Sequence, residues 1–124
     1  MEDQRIRMLL VDDHAMFRRG LASLISTQRE LQVVGEASDG LEAVEKVREL
    51  MPDMVLMDIR MPRCDGLRAI KLLHREFPSV KVVMLTVSDE EADLFEALKS
   101  GAQGYMLKDM TPETLFELIR GVTR

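Results

Sequence analysis

The sequence predicts an α/β domain, a doubly wound parallel sheet of five strands with helices on both faces. Three observations lead there. Five apolar runs of strand length alternate with five stretches of helical periodicity, and the connections between them are short. The runs are mostly continuous rather than alternating, as expected for strands covered on both faces, and right-handed crossovers between parallel strands put helices on each side. A closed barrel needs about eight such units, more than 124 residues hold.

The first run is Met8 to Val11. In the helix after it, Phe17, Leu21, Leu24 and Ile25 share one face at i, i+4, i+7 and i+8, which leaves Arg18 and Arg19 toward water. The second strand is Leu31 to Ala37. Beyond the Asp39-Gly40 turn, a helix directs Val44, Val47 and Met51 inward until Pro52 stops it. The third strand, Met54 to Met57, runs into the irregular loop IRMPRCDG and a helix that buries Leu67, Ile70, Leu73 and Phe77 and ends at Pro78. Val80 to Leu85 is the fourth strand. Ser88-Asp89 can cap the next helix, which carries Leu94, Phe95 and Leu98, and Gly101 is placed to close it. Tyr105 to Leu107 is the last strand. Thr111 as cap and Pro112 at the first helical position then open a fifth helix with Leu115, Leu118, Ile119 and Val122 inward, Phe116 lying off that stripe and exposed.

Composition narrows the class. Hydrophobic residues make up 46% and charged residues 31%, enough to bury a core and stay out of the disordered class, and the length suits one domain spanning 1–124. No apolar run approaches the roughly 18–20 residues of a membrane helix, and MEDQRIR has no signal-peptide core, so a cytoplasmic location is expected. Cys64 is the lone cysteine and His14 and His74 are the only histidines, which excludes an internal disulfide and a spaced zinc set. With 22 acidic against 17 basic residues, the net charge of −5 argues against direct nucleic-acid binding by this segment. Ten methionines against four phenylalanines and one tyrosine suggest a core of thioethers and aliphatics, not an aromatic sandwich for a cofactor.

In an open α/β sheet, ligands sit outside the carboxyl ends of the strands. Strand one ends there in Asp12-Asp13, strand three in Asp58, strand four in Thr86 and strand five in Lys108, while strand two, ending in Ala37-Ser38, adds nothing obvious. Each residue has an ordinary reading: Asp13 as a helix cap, Thr86 as a strand residue, Lys108 as a surface charge. The conjunction is what carries chemistry. Clustered carboxylates repel one another unless a hard cation neutralises them, and Mg2+, with its preference for oxygen ligands and phosphate, fits. Lys108 can balance the outer charge of a phosphoryl group and Thr86 can bond one of its oxygens, with Asp58 at the sheet centre best placed as the nucleophile. His14 has no visible acidic partner and reads as a partly exposed residue at a helix start.

These motifs resemble the receiver domains of two-component response regulators. The resemblance runs from Ile6 to Val122 and rests on LLVDDH, DMVLMDIRMPRCDG, MLT and GAQGYMLKD, with VVGEASDG and LTVSDEE closest to the NarL/FixJ subfamily. It implies a flavodoxin-like sheet of order 2-1-3-4-5 and a phosphoacceptor switch whose partners are a sensor histidine kinase and a C-terminal LuxR-type helix-turn-helix output domain absent from this chain. Asp58 is by this resemblance the phosphorylation site. Asp13 and Asp58 would bind Mg2+ directly, Asp12 largely through water, and the Arg60 backbone carbonyl would add a ligand. Thr86 and Tyr105 match the switch pair and Lys108 the lysine of the family. The resemblance further implies a protein that catalyses its own phosphorylation and dephosphorylation without being a conventional turnover enzyme, acts on transcription, and can dimerise on phosphorylation.

Two departures stand out. Asp109 follows Lys108 where the family often has proline, and Val87 stands where many receivers have alanine, narrowing access to an acyl phosphate. The Arg60 side chain should project near the mouth of the site and slow hydrolysis. Met61-Pro62 and Asp65-Gly66 shape the loop beside it. Three alternatives fit less well. A flavodoxin-like cofactor module would not put Asp12-Asp13 where phosphate must sit, a haloacid-dehalogenase-like phosphatase needs a D-x-D element after strand one, and a non-phosphorylated pseudo-receiver would not keep the whole acid, hydroxyl and lysine set.

Overall fold

The computed structural model describes residues 5–59, 61, 65–86 and 91–123, with backbone alone for 91–94. Its elements follow in strict alternation: β1 (Ile6–Val11), α1 (Ala15–Ile25), β2 (Leu31–Ala37), α2 (Gly40–Leu50), β3 (Met54–Asp58), α3 (Gly66–Glu76), β4 (Lys81–Thr86), α4 (Glu91–Lys99), β5 (Gly104–Leu107) and α5 (Pro112–Thr123). The sheet order is β2-β1-β3-β4-β5 and every pairing is parallel, as expected.

The central strands are continuously apolar because each face of the sheet has its own helical cover. Side chains alternate across a strand. Leu9, Val11, Val55, Met57, Val82 and Met84 therefore enter one core with Ala43 and Val47 of α2, Ala69, Ile70 and Leu73 of α3, and Ala97 of α4. Met8, Leu10, Met54, Leu56, Val83 and Leu85 enter the other, with Ile25 of α1 and Leu115, Phe116 and Ile119 of α5. The β1–β2 register slips between Met8 and Leu9, so that Met8 pairs with Val33 but Leu9 with Gly35.

Helix starts are fastened locally. Asp39 Oδ1 accepts from the Glu42 N–H at 2.9 Å while Glu42 Oε1 accepts from the Ser38 N–H at 2.7 Å, a reciprocal box that opens α2. Asp65 Oδ1 takes the Arg68 N–H at 3.0 Å for α3. Thr111 Oγ1 takes the Thr114 N–H at 3.3 Å, bearing out the Thr-Pro start of α5. The Ser88-Asp89 cap expected for α4 lies outside the described residues. Gly101 does close α4: its φ is 120°, its N–H reaches Leu98 O at 3.2 Å, and the Ala102 N–H reaches Ala97 O at 3.0 Å.

Four expectations about burial need correction. Met51 is not on the inner face of α2 but is its left-handed cap, φ 45°, which swings the side chain into solvent while Leu50 packs on the core instead. Phe116 is buried, because α5 presents a face wide enough for Leu115, Phe116 and Ile119 together. Phe95 and Leu98 of α4 are exposed, and among its described side chains Ala97 faces the core, the Leu94 side chain lying outside them. Arg18 turns inward, as described next; Arg19 stays in water.

Candidate functional site

Strand ends deliver the expected groups to one edge. Asp12 follows the last residue of β1 and is held in the ladder by its N–H to Ala37 O at 3.0 Å; Asp58 closes β3 and Thr86 closes β4. Lys108 follows β5, its own N–H bonded to Thr86 O at 2.8 Å. Asp12, Asp58 and Thr86 are buried, which is unusual for carboxylates and demands compensation.

Lys108 supplies it. Its Nζ lies 2.7 Å from Asp12 Oδ2 and 3.2 Å from Asp58 Oδ2, bridging two carboxylates that would otherwise repel. It donates a hydrogen bond to Asp58, whereas the closer approach to Asp12 is off the hydrogen-bond direction and leaves buried Oδ2 with no hydrogen bond. The Lys108 ammonium also sits over the Phe17 ring, 4.7 Å from its centroid. Burial works to lower the Lys108 pKa, but the two aspartates outweigh it and hold the ammonium above its ordinary value.

Asp13 and His14 complete the acidic corner. Carboxylate oxygens of Asp12, Asp13 and Asp58 and a ring nitrogen of His14 all lie within 4.8 Å of one another. The chemistry suits a hard divalent cation, because three of the four donors are carboxylate oxygens. Asp13 does not cap α1. His14 occupies the N-cap position without a side-chain cap bond, and its N–H is taken by Asp12 Oδ1 at 2.9 Å.

Gly66 makes the loop beside Asp58 possible. A Cβ there would collide with the Asp58 carbonyl oxygen and stand 2.8 Å from the Ile59 Cα, so any other residue would have to displace backbone. Thr86 pairs with Leu107 and Met84 with Tyr105, so Thr86 and Tyr105 are diagonal neighbours on one sheet face, the first buried and the second exposed. Arg60, Pro62, Cys64 and Val87 lie outside the described residues. No peptide bond among the described residues is cis.

Several participants were missed from sequence. Arg18 was expected in water, but its Nη1 donates to the Asp12 carbonyl at 2.5 Å and its Nε to Glu36 Oε1 at 2.7 Å, tying the acidic turn to β2. His14 was expected to lack an acidic partner and has two, its Nδ1 lying 3.3 Å from Asp12 Oδ1 and 3.4 Å from Asp13 Oδ1. Its exposure is as expected. Helical spacing offered one signal for Arg18: it stands four residues after His14, on the turn that faces back to the strand end.

Residues 8–120 match the response regulator receiver domain. The chain is 47% identical over 117 residues to the transcriptional regulatory protein LnrK of Bacillus subtilis, covering 94% of this chain and 53% of that protein. It is 37% identical over 124 residues to the transcriptional regulatory protein DegU of Brevibacillus brevis, covering 100% and 52%. The chain thus spans about half the length of the curated relatives it matches. Among solved structures, the signal receiver domain of the response regulator NarL from Mycobacterium tuberculosis superposes with a TM-score of 0.90 at 33% identity, over 97% of both chains. A LuxR-family two-component response regulator from Aurantimonas superposes with a TM-score of 0.91 at 32% identity, over 96% of this chain and 85% of that one. With the parallel five-stranded order and the acid, hydroxyl and lysine edge already in place, these likenesses make the chain a member of the response regulator receiver domain family, of the LuxR/NarL type.

Proposed function

We propose that Asp58 accepts a phosphoryl group from a sensor histidine kinase and that residues 1–124 act as one receiver unit controlling a C-terminal helix-turn-helix output domain. The observation that carries the reading is Lys108, whose ammonium bridges the buried carboxylates of Asp12 and Asp58 at the carboxyl edge of the sheet. An ammonium already held between two acids is positioned to take a new anionic group on either.

In the step itself an Asp58 oxygen attacks phosphorus. The new bond is Oδ–P, the bond broken is the P–N bond of the kinase phosphohistidine, and the departing imidazole takes a proton from solvent. Lys108 and the Thr86 hydroxyl hold phosphoryl oxygens, and in the separate dephosphorylation step water attacks phosphorus, the Oδ–P bond breaks, and inorganic phosphate leaves the restored carboxylate. Asp12, Asp13 and Asp58, with the Arg60 carbonyl that the family resemblance implies, would hold Mg2+, which when bound would neutralise charge on the phosphoryl oxygens. Thr86 moving toward the new charge lets Tyr105 turn inward, which alters the surface of α4, β5 and α5 and with it the output domain or a second copy of the chain. This is self-catalysed phosphorylation and dephosphorylation of one side chain. On this reading the protein acts in the cytoplasm, on a signal from its kinase and through the DNA target of its output domain.

The test is intact mass after incubation with acetyl phosphate and Mg2+. One phosphoryl mass is expected on the wild type and none on Asp58→Asn. An undiminished mass gain on Asp58→Asn would overturn the assignment.

A further inference from the structure

The acidic corner contains one donor that is not oxygen. His14 stands at the start of α1 with φ −93° and ψ 99°, an extended conformation that turns its ring toward the strand end, not along the helix. The ring nitrogen Nδ1 is 3.3 Å from Asp12 Oδ1 and 3.4 Å from Asp13 Oδ1, and a ring nitrogen of His14 belongs to the same 4.8 Å constellation as the Asp58 carboxylate. Such separations suit neighbouring donors around a single small cation, whose own bonds to each run to about 2.0–2.2 Å. Half of the surroundings are already built. Asp12 is almost fully buried, its Oδ2 paired with the Lys108 ammonium at 2.7 Å, and Arg18, itself held by Glu36, fastens the Asp12 carbonyl. His14 itself is largely exposed and lines, with Phe17, Lys108 and Asp109, the cleft that opens beside the acids.

A set of oxygens alone selects for hard cations such as Mg2+. Adding an imidazole changes that preference, because nitrogen suits Mn2+, Co2+ and Ni2+ progressively better along the first-row order and suits Zn2+ as well, whereas Mg2+ gains almost nothing from it. We infer that His14 is a specificity-determining ligand that lets this site take borderline divalent transition cations in preference to Mg2+. The inference rests on the reading of Asp12, Asp13 and Asp58 as the cation site and adds to it which cation that site favours. The structural consequence is local. A cation shared by Asp13 and His14 spans the junction of β1 and α1, which no side-chain cap bond fastens.

The experiment uses the 124-residue chain with Mg2+, Mn2+ and Co2+ as probes. Calorimetric titration is expected to show Co2+ binding more tightly than Mg2+. His14→Gln should lose at least about tenfold of the Co2+ affinity, the scale on which removal of a group supporting a metal site acts, with Mg2+ affinity changed less than about twofold. Pulsed electron resonance of bound Mn2+ should show coupling to an imidazole nitrogen in the wild type and none in His14→Gln. Because His14 is exposed, the variant should fold normally, and its unfolding curve checks that. Absence of nitrogen coupling, or an equal loss for Mg2+ and Co2+, would overturn the selective role of His14 while leaving the assignment of Asp12, Asp13 and Asp58 as the cation site, and of Asp58 as the phosphorylated residue, standing. Failure of the wild type to bind any of the three ions would overturn the cation site itself, and so separates the two conclusions.

Discussion

On the sheet face they share with α2, helix α3 buries Ala69, Ile70 and Leu73 completely, whereas α4, among its described side chains, buries Ala97 and leaves Phe95 and Leu98 in solvent. Each large aliphatic side chain removed from water contributes about 1.5–3 kcal/mol, and a methyl contributes far less. Helix α3 is also fastened at its start by Asp65 and pressed against Asp58 through Gly66, where backbone meets backbone. Helix α4 is secured at its end, where the Gly101 turn folds back on Ala97 and Leu98 and abuts the His74 ring of α3. The two neighbours therefore differ in what moving them costs. The helix beside Asp58 is anchored, and the helix that follows Thr86 in the chain is lightly held by its described side chains, which is where a switch can act with little free energy.

Truncating the anchored helix should have the largest effect. Ile70→Ala should lower the unfolding free energy by about 2–5 kcal/mol, while Leu98→Ser on α4 should stay within about 0.5 kcal/mol of the wild type. Urea unfolding followed by circular dichroism reads both. A comparable cost for the two would mean that α4 is packed as tightly as α3.

A smaller effect isolates the junction of the two helices. Gly101→Ala places a side chain at a φ of 120° and its Cβ 2.6 Å from Cγ of His74, so a cost of about 1–3 kcal/mol is expected for the backbone alone. Adding His74→Ala should recover the part due to collision and leave the part due to φ, which a double-mutant cycle separates. Full recovery would show that the turn itself carries no strain.

The smallest effect concerns a helix tied at the surface by charge. Arg120 of α5 donates to Glu30 Oε1 at 2.6 Å, and that hydrogen bond holds the Glu30 carboxyl below its ordinary value of 4.5. A depressed carboxyl pKa stabilises the fold above 4.5, and the contribution is lost as pH falls through the lower folded value. Glu30→Gln should thus lower Tm slightly at neutral pH and leave it unchanged in acid, where wild-type Glu30 is protonated. Because the pair is exposed, added salt should shrink the difference. A Tm difference that persisted unchanged in acid would assign the loss to packing, as in α3, and not to charge.

Much of the molecule was legible before any coordinates. Apolar runs and helical periodicity are properties of contiguous residues, so Leu31–Ala37 came out with its observed bounds and the other strands within two residues at either end. The residues at the strand ends were legible for a related reason: a parallel α/β sheet puts every strand's carboxyl end on one edge, so Asp12, Asp58, Thr86 and Lys108 had to be brought near one another. Glycine and proline marked ends that the backbone then used, at Gly101 and Pro112.

What periodicity could not say is which face of a helix finds a neighbour. Met51, Phe95 and Leu98 satisfy a helical stripe and lie in solvent, while Phe116 falls off one and is buried, because burial is decided by elements distant in the chain. The same holds for charge. Sequence alone determined the order of strands and helices and the acids, hydroxyl and lysine at one sheet edge. Only the tertiary structure decided that Lys108 spans 50 residues to Asp58 and reaches Asp12 as well, that Arg18 leaves water for Glu36 and the Asp12 carbonyl, and that His14 joins the acids. A buried charge is stable where its partner stands: Lys108 finds Asp12 and Asp58, and Arg18 finds Glu36, on other strands whose positions no local pattern of residues encodes, while His14 meets its acids only through the conformation of the turn after β1.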